Sequence, residues 1–225
     1  MKKYLKQLQK NALFKDFDET DLESIIKCLS SKVDFYKKKD FILLQGDHVH
    51  FVGIILSGSI QIVKEDMEGN INITAHLGVN DIFAEVFACA DILECPVTVQ
   101  ALEDCEILFI DCKRIIKTCD KACIFHSSLI ENMLSVIAKK NIILNQKIEI
   151  LSKRTTREKL LAFFDNQVQM THSKKILIPY NRESLANYLC VDRSALSREL
   201  CSMRDEGLIK FVKNEFEIIK SKIEN

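Results

Sequence analysis

The sequence has no run of about 18 apolar residues, the length a membrane-spanning helix needs, so no membrane partner is expected. Its opening stretch, MKKYLKQLQKNALFKDF, starts basic but mixes charges with apolar residues and lacks a small-residue cleavage site. A secretory signal is therefore not expected, and a cytoplasmic location is. Catalytic signatures are missing too: there is no glycine-rich phosphate loop, no nucleophile elbow and no paired His-Glu zinc motif, so an enzyme is not expected. Net charge is zero, with 32 basic side chains against 32 acidic ones. Nine cysteines, an odd number without an export signal, do not suggest a disulfide framework. Reduced thiols that pack as small apolar side chains are the expectation.

What is present is a globular chain of 225 residues, 47% hydrophobic, enough for two modest domains. The neutral total conceals a division. Residues 1–151 hold 18 Lys and Arg against 22 Asp and Glu, whereas residues 152–225 hold 14 against 10. A basic C-terminal part is the charge footprint of a surface that faces phosphates.

Three segments differ in pattern. From Val33 to Ile110 short β-rich runs alternate with Gly, Asn and Asp, after one or two short helices in residues 1–31, of which Glu19–Leu29 is amphipathic. Asp66-Met67-Glu68-Gly69-Asn70 lies between the runs Ile60–Lys64 and Ile71–His76 and predicts a hairpin turn. From Lys113 to Leu151 there is neither Gly nor Pro, and the pattern predicts one long helix. The spacing of Ile130, Leu134, Ile137, Asn141, Leu144, Ile148 and Leu151 alternates fours and threes, a heptad seam with one Asn at an a position, which favours a parallel homodimer. Packing of the same stripe against the chain's own β domain is the alternative. The expected boundaries are a sensor-type β domain over 1–112, a connecting and dimerisation helix over 113–152, and a C-terminal domain over 153–225.

The C-terminal domain carries the most specific pattern. Asn181 is a good N-cap, followed by Leu185, Ala186 and Leu189 at helical spacing, with a stop near Cys190. Asp192 caps a second helix with Ala195, Leu196, Leu200 and Met203 on one face and Arg193, Ser194, Ser197 and Arg198 on another. Two helices joined by a tight turn make a helix-turn-helix, whose second helix meets base edges in double-stranded DNA. Arg198 is the first choice for base readout, since Arg donates two hydrogen bonds to guanine. Ser197, Ser194 and Arg193 lie beside it, and Arg182 is suited to a phosphate. Gly207 ends the helix, and LIKFVKNEFEII predicts a hairpin wing turning at Lys213-Asn214, with Lys210 and Lys213 as phosphate contacts. A small helical domain with a solvated basic face is the bland alternative.

In this order, the whole chain resembles the Crp/Fnr family of bacterial transcription regulators, over roughly residues 15–220. The resemblance is carried by Ile55-Leu56-Ser57-Gly58-Ser59, by Asn80-Asp81-Ile82-Phe83-Ala84-Glu85 and by Val191-Asp192-Arg193-Ser194-Ala195-Leu196-Ser197-Arg198. It implies an α+β protein with a double-stranded β-helix (jelly roll) of the cyclic-nucleotide-binding type, a long dimerisation helix and a winged helix-turn-helix. It also implies a palindromic operator, an unknown small-molecule effector, and RNA polymerase as a partner where the protein activates. In the members that bind cyclic AMP, a Gly-Glu pair meets the ribose and an Arg-Ser pair neutralises the phosphate. Here Glu85 is kept, but Ala84 stands for the Gly and Cys95-Pro96 for the Arg-Ser. Ile142 and Ile143 stand where a nucleotide-responsive member would offer hydroxyls. The effector expected is therefore not cyclic AMP but another small molecule, a metal or haem, or a redox signal.

The iron-sulfur members carry a cysteine cluster ahead of the β domain, where this chain has only Cys28. For haem ligation, His48, His50 and His76 are candidates by resemblance. Cys119, Cys123 and His126 form a C-x3-C-x2-H spacing that suits zinc, iron, haem or a redox couple, and equally suits helical residues facing a core. A regulatory subunit acting on a protein partner, as cyclic-nucleotide domains do when fused to kinases or channels, is the rival function. The winged C-terminus argues against it.

Overall fold

The computed structural model describes residues 2–65, 71–90, 92, 94–117, 124–178 and 180–219. The chain divides into two compact units, Met1–Ala138 and Lys139–Asn225. The first opens with short helical turns and α1 (Leu5–Leu8), then α2 (Glu19–Cys28). Asp18 starts α2 with a capping box, accepting from the Asp21 N–H while the Asp21 side chain accepts from the Asp18 N–H.

Among the described residues eight strands follow: β1 (Lys32–Tyr36), β2 (Phe41–Leu43), β3 (Phe51–Ser57), β4 (Ile60–Glu65), β5 (Ile71–Leu77), β6 (Ile82–Phe83), β7 (Thr98–Ala101) and β8 (Cys105–Asp111). Between β6 and β7 lies α3 (Glu85–Cys89). The strands form two four-stranded antiparallel sheets, ordered β1-β8-β3-β6 and β2-β7-β4-β5. This is the jelly-roll arrangement expected. β4 and β5 pair antiparallel up to Glu65 opposite Ile71, as the hairpin reading required, and residues 66–70 themselves lie outside the described residues.

Alternation along β3 and β8 explains why both are mostly apolar. Val52, Ile54 and Leu56, with Leu108 and Ile110, join the cluster that holds α1, α2 and the start of the long helix. Ile55 and Ile107 instead join Leu43, Ile60 and Val99 in a second cluster made by residues of both sheets. Strands covered on both faces need continuous hydrophobic runs. Gly58 joins β3 to β4 at φ +80°, and a Cβ there would stand 2.5 Å from the Asp104 carbonyl oxygen, so the position accepts glycine alone.

The long helix differs from its expected extent. α4 (Cys112–Ile116) starts at Asp111, whose side chain accepts from the Lys113 N–H, and it stops at Lys117, which is extended at φ −88° and ψ 125°. Residues 118–123 are outside the description, and α5 then runs Ile124–Leu151. No Gly or Pro marks the break. It is set by packing, because Cys112 and Ile115 are drawn into the sensor core.

In the second unit, α6 (Thr156–Thr171) begins with a capping box made by Thr155 and Glu158. α7 (Arg182–Leu189) and α8 (Arg193–Asp205) follow β9 (Lys175–Leu177) and precede the hairpin β10 (Ile209–Val212) and β11 (Glu215–Ile218). The three strands pair in the order β10-β11-β9 around a core that includes Phe163, Phe164, Leu185, Leu196, Leu200, Met203 and Phe216. No helix among the described residues is long and apolar enough to cross a membrane.

Candidate nucleic-acid interface

The helix-turn-helix forms from local hydrogen-bonding chemistry. The Asn181 side chain accepts from the Ser184 N–H at 2.8 Å and starts α7. Cys190 then adopts φ 51°, and the Val191 N–H reaches back to the Ala186 carbonyl at 3.0 Å, closing the turn as glycine commonly does. Asp192 accepts from the N–H groups of Ser194 and Ala195, at 2.8 and 3.1 Å, and starts α8. These bonds hold the Asp192 carboxyl below its ordinary value of 3.8, the largest cause being the Ser194 hydroxyl. Gly207, at φ 73°, closes α8.

Leu196, Leu200 and Met203 bury the inner face of α8. Arg193, Ser194 and Arg198 are exposed and Ser197 half-buried on its other side. The Arg198 Nε donates to the Ser194 carbonyl oxygen at 3.4 Å. The hairpin turns at Lys213-Asn214 as predicted, with Val212 opposite Glu215, and Lys210 and Lys213 are exposed.

Arg182 takes a position that the sequence did not indicate. Its guanidinium lies 5.0 Å from the ring centres of both Phe211 and Phe216, and its Nη2 donates to the Lys213 carbonyl at 3.0 Å. Burial pulls its pKa below the ordinary arginine value. The side chain thus bolts the start of α7 to the hairpin turn. A cleft of about 380 Å³ lies there, lined by Asn181, Arg182, Glu183, Arg193, Lys213 and Asn214.

Two further residues passed unnoticed in the sequence. Arg157 on α6 donates to Glu199 at 3.3 Å and, with both terminal nitrogens, to Glu206. Lys159 donates to the Leu189 carbonyl at 3.0 Å, satisfying the C-terminal end of α7. Together they brace both helices against α6. Their only sequence signal is a basic first turn behind a capping box.

The apolar residues of α5 are not all on one face. Leu129, Met133 and Val136 are buried in the sensor core. Leu134, Leu144 and Ile148 are exposed by 62%, 59% and 63%. Asn141 is also exposed, Ile130, Ile137 and Leu151 are half-buried, and the Asn141 Oδ1 accepts from Asn145 at 2.7 Å. The helix therefore packs one stripe, joined by the half-buried Ile137, on its own β domain, and leaves Leu134, Leu144 and Ile148 exposed along with Ile142 and Ile143.

In the sensor domain, Ala84 is buried at φ 65°, a backbone region that favours glycine, and Glu85, also buried, opens α3. Cys95 is buried with its thiol donating to the Val97 carbonyl, and burial pushes that thiol's pKa up. Aromatic rings fill the space beside them: Phe109 meets Phe51, Tyr36 and Phe83 edge-on at 4.8, 6.2 and 6.4 Å. His126 is buried, and its Nδ1 has no hydrogen-bond partner among the described residues. Cys119 and Cys123 lie outside the described residues, among which no three His, Cys, Asp or Glu side chains cluster to hold a metal.

Two family profiles match the chain, the Cyclic nucleotide-binding domain over residues 33–122 and the Crp-like helix-turn-helix domain over residues 158–222. No curated protein sequence matches it. Solved structures share the fold across nearly the whole length. A CooA mutant from Carboxydothermus hydrogenoformans superposes with a TM-score of 0.65 at 18% identity, covering 96% of this chain and 91% of that one. The catabolite activator protein of Thermus thermophilus gives 0.55 at 17% identity, with 95% and 96% covered. DNR from Pseudomonas aeruginosa gives 0.51 at 19%, with 98% and 95% covered.

Proposed function

The chain belongs to the Crp/Fnr family of transcription regulators, with a sensor domain and a helix-turn-helix, and from that premise we propose that it is a homodimer reading a palindromic operator. The observation that carries the proposal is α8, capped, braced and exposing Arg193, Ser194 and Arg198 on one face. Arg198 and Ser197 contact base edges, and Arg193 and Ser194 lie beside them. Lys210 and Lys213 contact phosphates, whereas Arg182 acts mainly by holding the wing in register.

The outward stripe Leu134, Asn141, Leu144 and Ile148, flanked by Ile130, Ile137 and Leu151, pairs two chains along the connecting helix. Two recognition helices then address half-sites about 34–36 Å apart. The sensor domain responds to a signal other than cyclic AMP. Supporting this, neither Ala84 nor Cys95 offers the cation that a buried phosphate needs, and the acidic Glu85 is buried beside Ala84. Candidate signals are a small molecule, a metal or haem engaging Cys119, Cys123 and His126, or a redox change. Activation would add RNA polymerase as a partner.

The test is a gel shift of the full chain on DNA selected from a random pool. Arg198→Ala is expected to lose about 1–3 kcal/mol of specific binding and to relax one base position in each half-site. Unchanged affinity and specificity would refute the assignment.

A further inference from the structure

Outside the interface, the described thiols are not evenly spread. Cys89, the last residue of α3, and Cys112, the first of α4, place their sulfurs 3.4 Å apart in a direct thiol–thiol contact. Cys112 is buried, whereas Cys89 is only half-buried and reaches solvent. The two are 23 residues apart in sequence, so the fold alone brings them together.

We propose that Cys89 and Cys112 form a hydroperoxide-reactive dithiol that closes reversibly to a disulfide, tying α3 to α4. It deepens the sensor-domain reading above, and rests on that reading only for its effect on DNA binding.

Cys89 is the more accessible of the two sulfurs and meets the oxidant, while burial and the contact with Cys89 push the Cys112 thiol up. The Cys89 sulfur attacks the peroxide, the O–O bond breaks, and a sulfenic acid forms with release of the alcohol, or of water from hydrogen peroxide. The Cys112 sulfur then attacks the Cys89 sulfur. The S–S bond forms, the S–O bond breaks, and the departing hydroxide leaves as water with the Cys112 proton. Two thiols and one hydroperoxide become a disulfide, an alcohol and water. The peroxide oxygen is reduced and the two sulfurs are oxidised. From a contact of 3.4 Å, closure is a short approach of two side chains already on facing helix ends.

The consequence follows from where the clip sits. α3 begins at Glu85, immediately after the strained Ala84, and α4 directly continues β8 at Asp111. A covalent tie between them locks the helix that opens at Glu85, one of the candidate effector residues, to the strand that ends the β domain.

The experiment treats reduced full-length protein with one equivalent of hydrogen peroxide at low protein concentration. Remaining thiols are trapped with iodoacetamide and the peptides mapped by mass spectrometry. We expect a Cys89–Cys112 linkage, removed by dithiothreitol, and a sensor-domain melting temperature raised by about 5–10 °C. Cys89→Ser should abolish both the linkage and the shift. Both cysteines alkylated after peroxide treatment, or Cys89 oxidised to a sulfinic acid without a link, would overturn the proposal. DNA affinity should change by about 5-fold or more between the two forms. Linkage with unchanged affinity would overturn its regulatory effect. Reduced protein that binds no DNA at all would instead sink the regulator reading and leave the disulfide standing.

Discussion

Replacing Leu144 with Ala probes the dimer seam at a position that lies exposed within one chain. Leu144 is 59% exposed, and the change removes three carbon atoms. At about 0.8 kcal/mol per buried methylene, full burial of those carbons contributes about 2.4 kcal/mol, and the fraction still exposed accounts for about 1.4 kcal/mol. Each dimer holds two copies, so association should weaken by about 3 kcal/mol, or roughly 100-fold in dissociation constant. Ile148, at 63% exposure, should act alike, and the double substitution should approach 10,000-fold if the sites add. The monomer should lose no more than about 1 kcal/mol, the share of those carbons already covered within one chain. Sedimentation equilibrium reads the constant directly. A wild-type chain that is monomeric at micromolar concentration, or a dissociation constant that moves less than about 3-fold on Leu144→Ala, would refute the seam.

Arg182→Ala should lower the stability of the DNA-binding domain by about 1–2 kcal/mol in urea melts, through loss of the ring contacts and the bond to the wing turn, and should weaken DNA binding as well. Weakened DNA binding with unaltered stability would mean a phosphate contact instead. Gly58→Ala should cost about 2–4 kcal/mol, combining the left-handed backbone with the clash at the Asp104 carbonyl, and thermal melts of the sensor domain would show it. The Asp192 carboxyl lies below 3.8 in the folded chain. Its contribution is therefore complete above that pH and is lost as pH falls through the lower folded value. The stability difference between wild type and Asp192→Asn should be constant from pH 7 to about 5 and shrink below pH 3.8. A difference that grows on acidification would reverse the sign of the argument.

The parts legible in the sequence are those governed by neighbours in the chain. Asn181, Asp192, Gly207 and the Lys213-Asn214 turn could be placed because a cap or a turn depends on bonds a few residues away. The two strand runs either side of Asp66–Asn70 were legible for the same reason. What escaped depends on distant partners. The helix break at Lys117 follows from burial of Cys112 and Ile115, not from a breaker residue. The inward turn of Arg182 needs the rings of Phe211 and Phe216, about 30 residues on. The heptad periodicity of α5 marks one stripe, yet Leu129, Met133 and Val136 form another at a different angle, and only the fold assigns which of them meets the β domain. The pairing of Cys89 with Cys112 has no sequence signature at all.

The central claim is that two copies of α8 read one symmetric DNA site. Hydroxyl-radical footprinting of the full chain on its selected DNA tests it most directly. The account predicts two protected half-sites related by a two-fold axis, their centres about one helical turn apart, with protection weakening steeply as salt rises. A single unpaired protected site, or no protection at low salt, would contradict it.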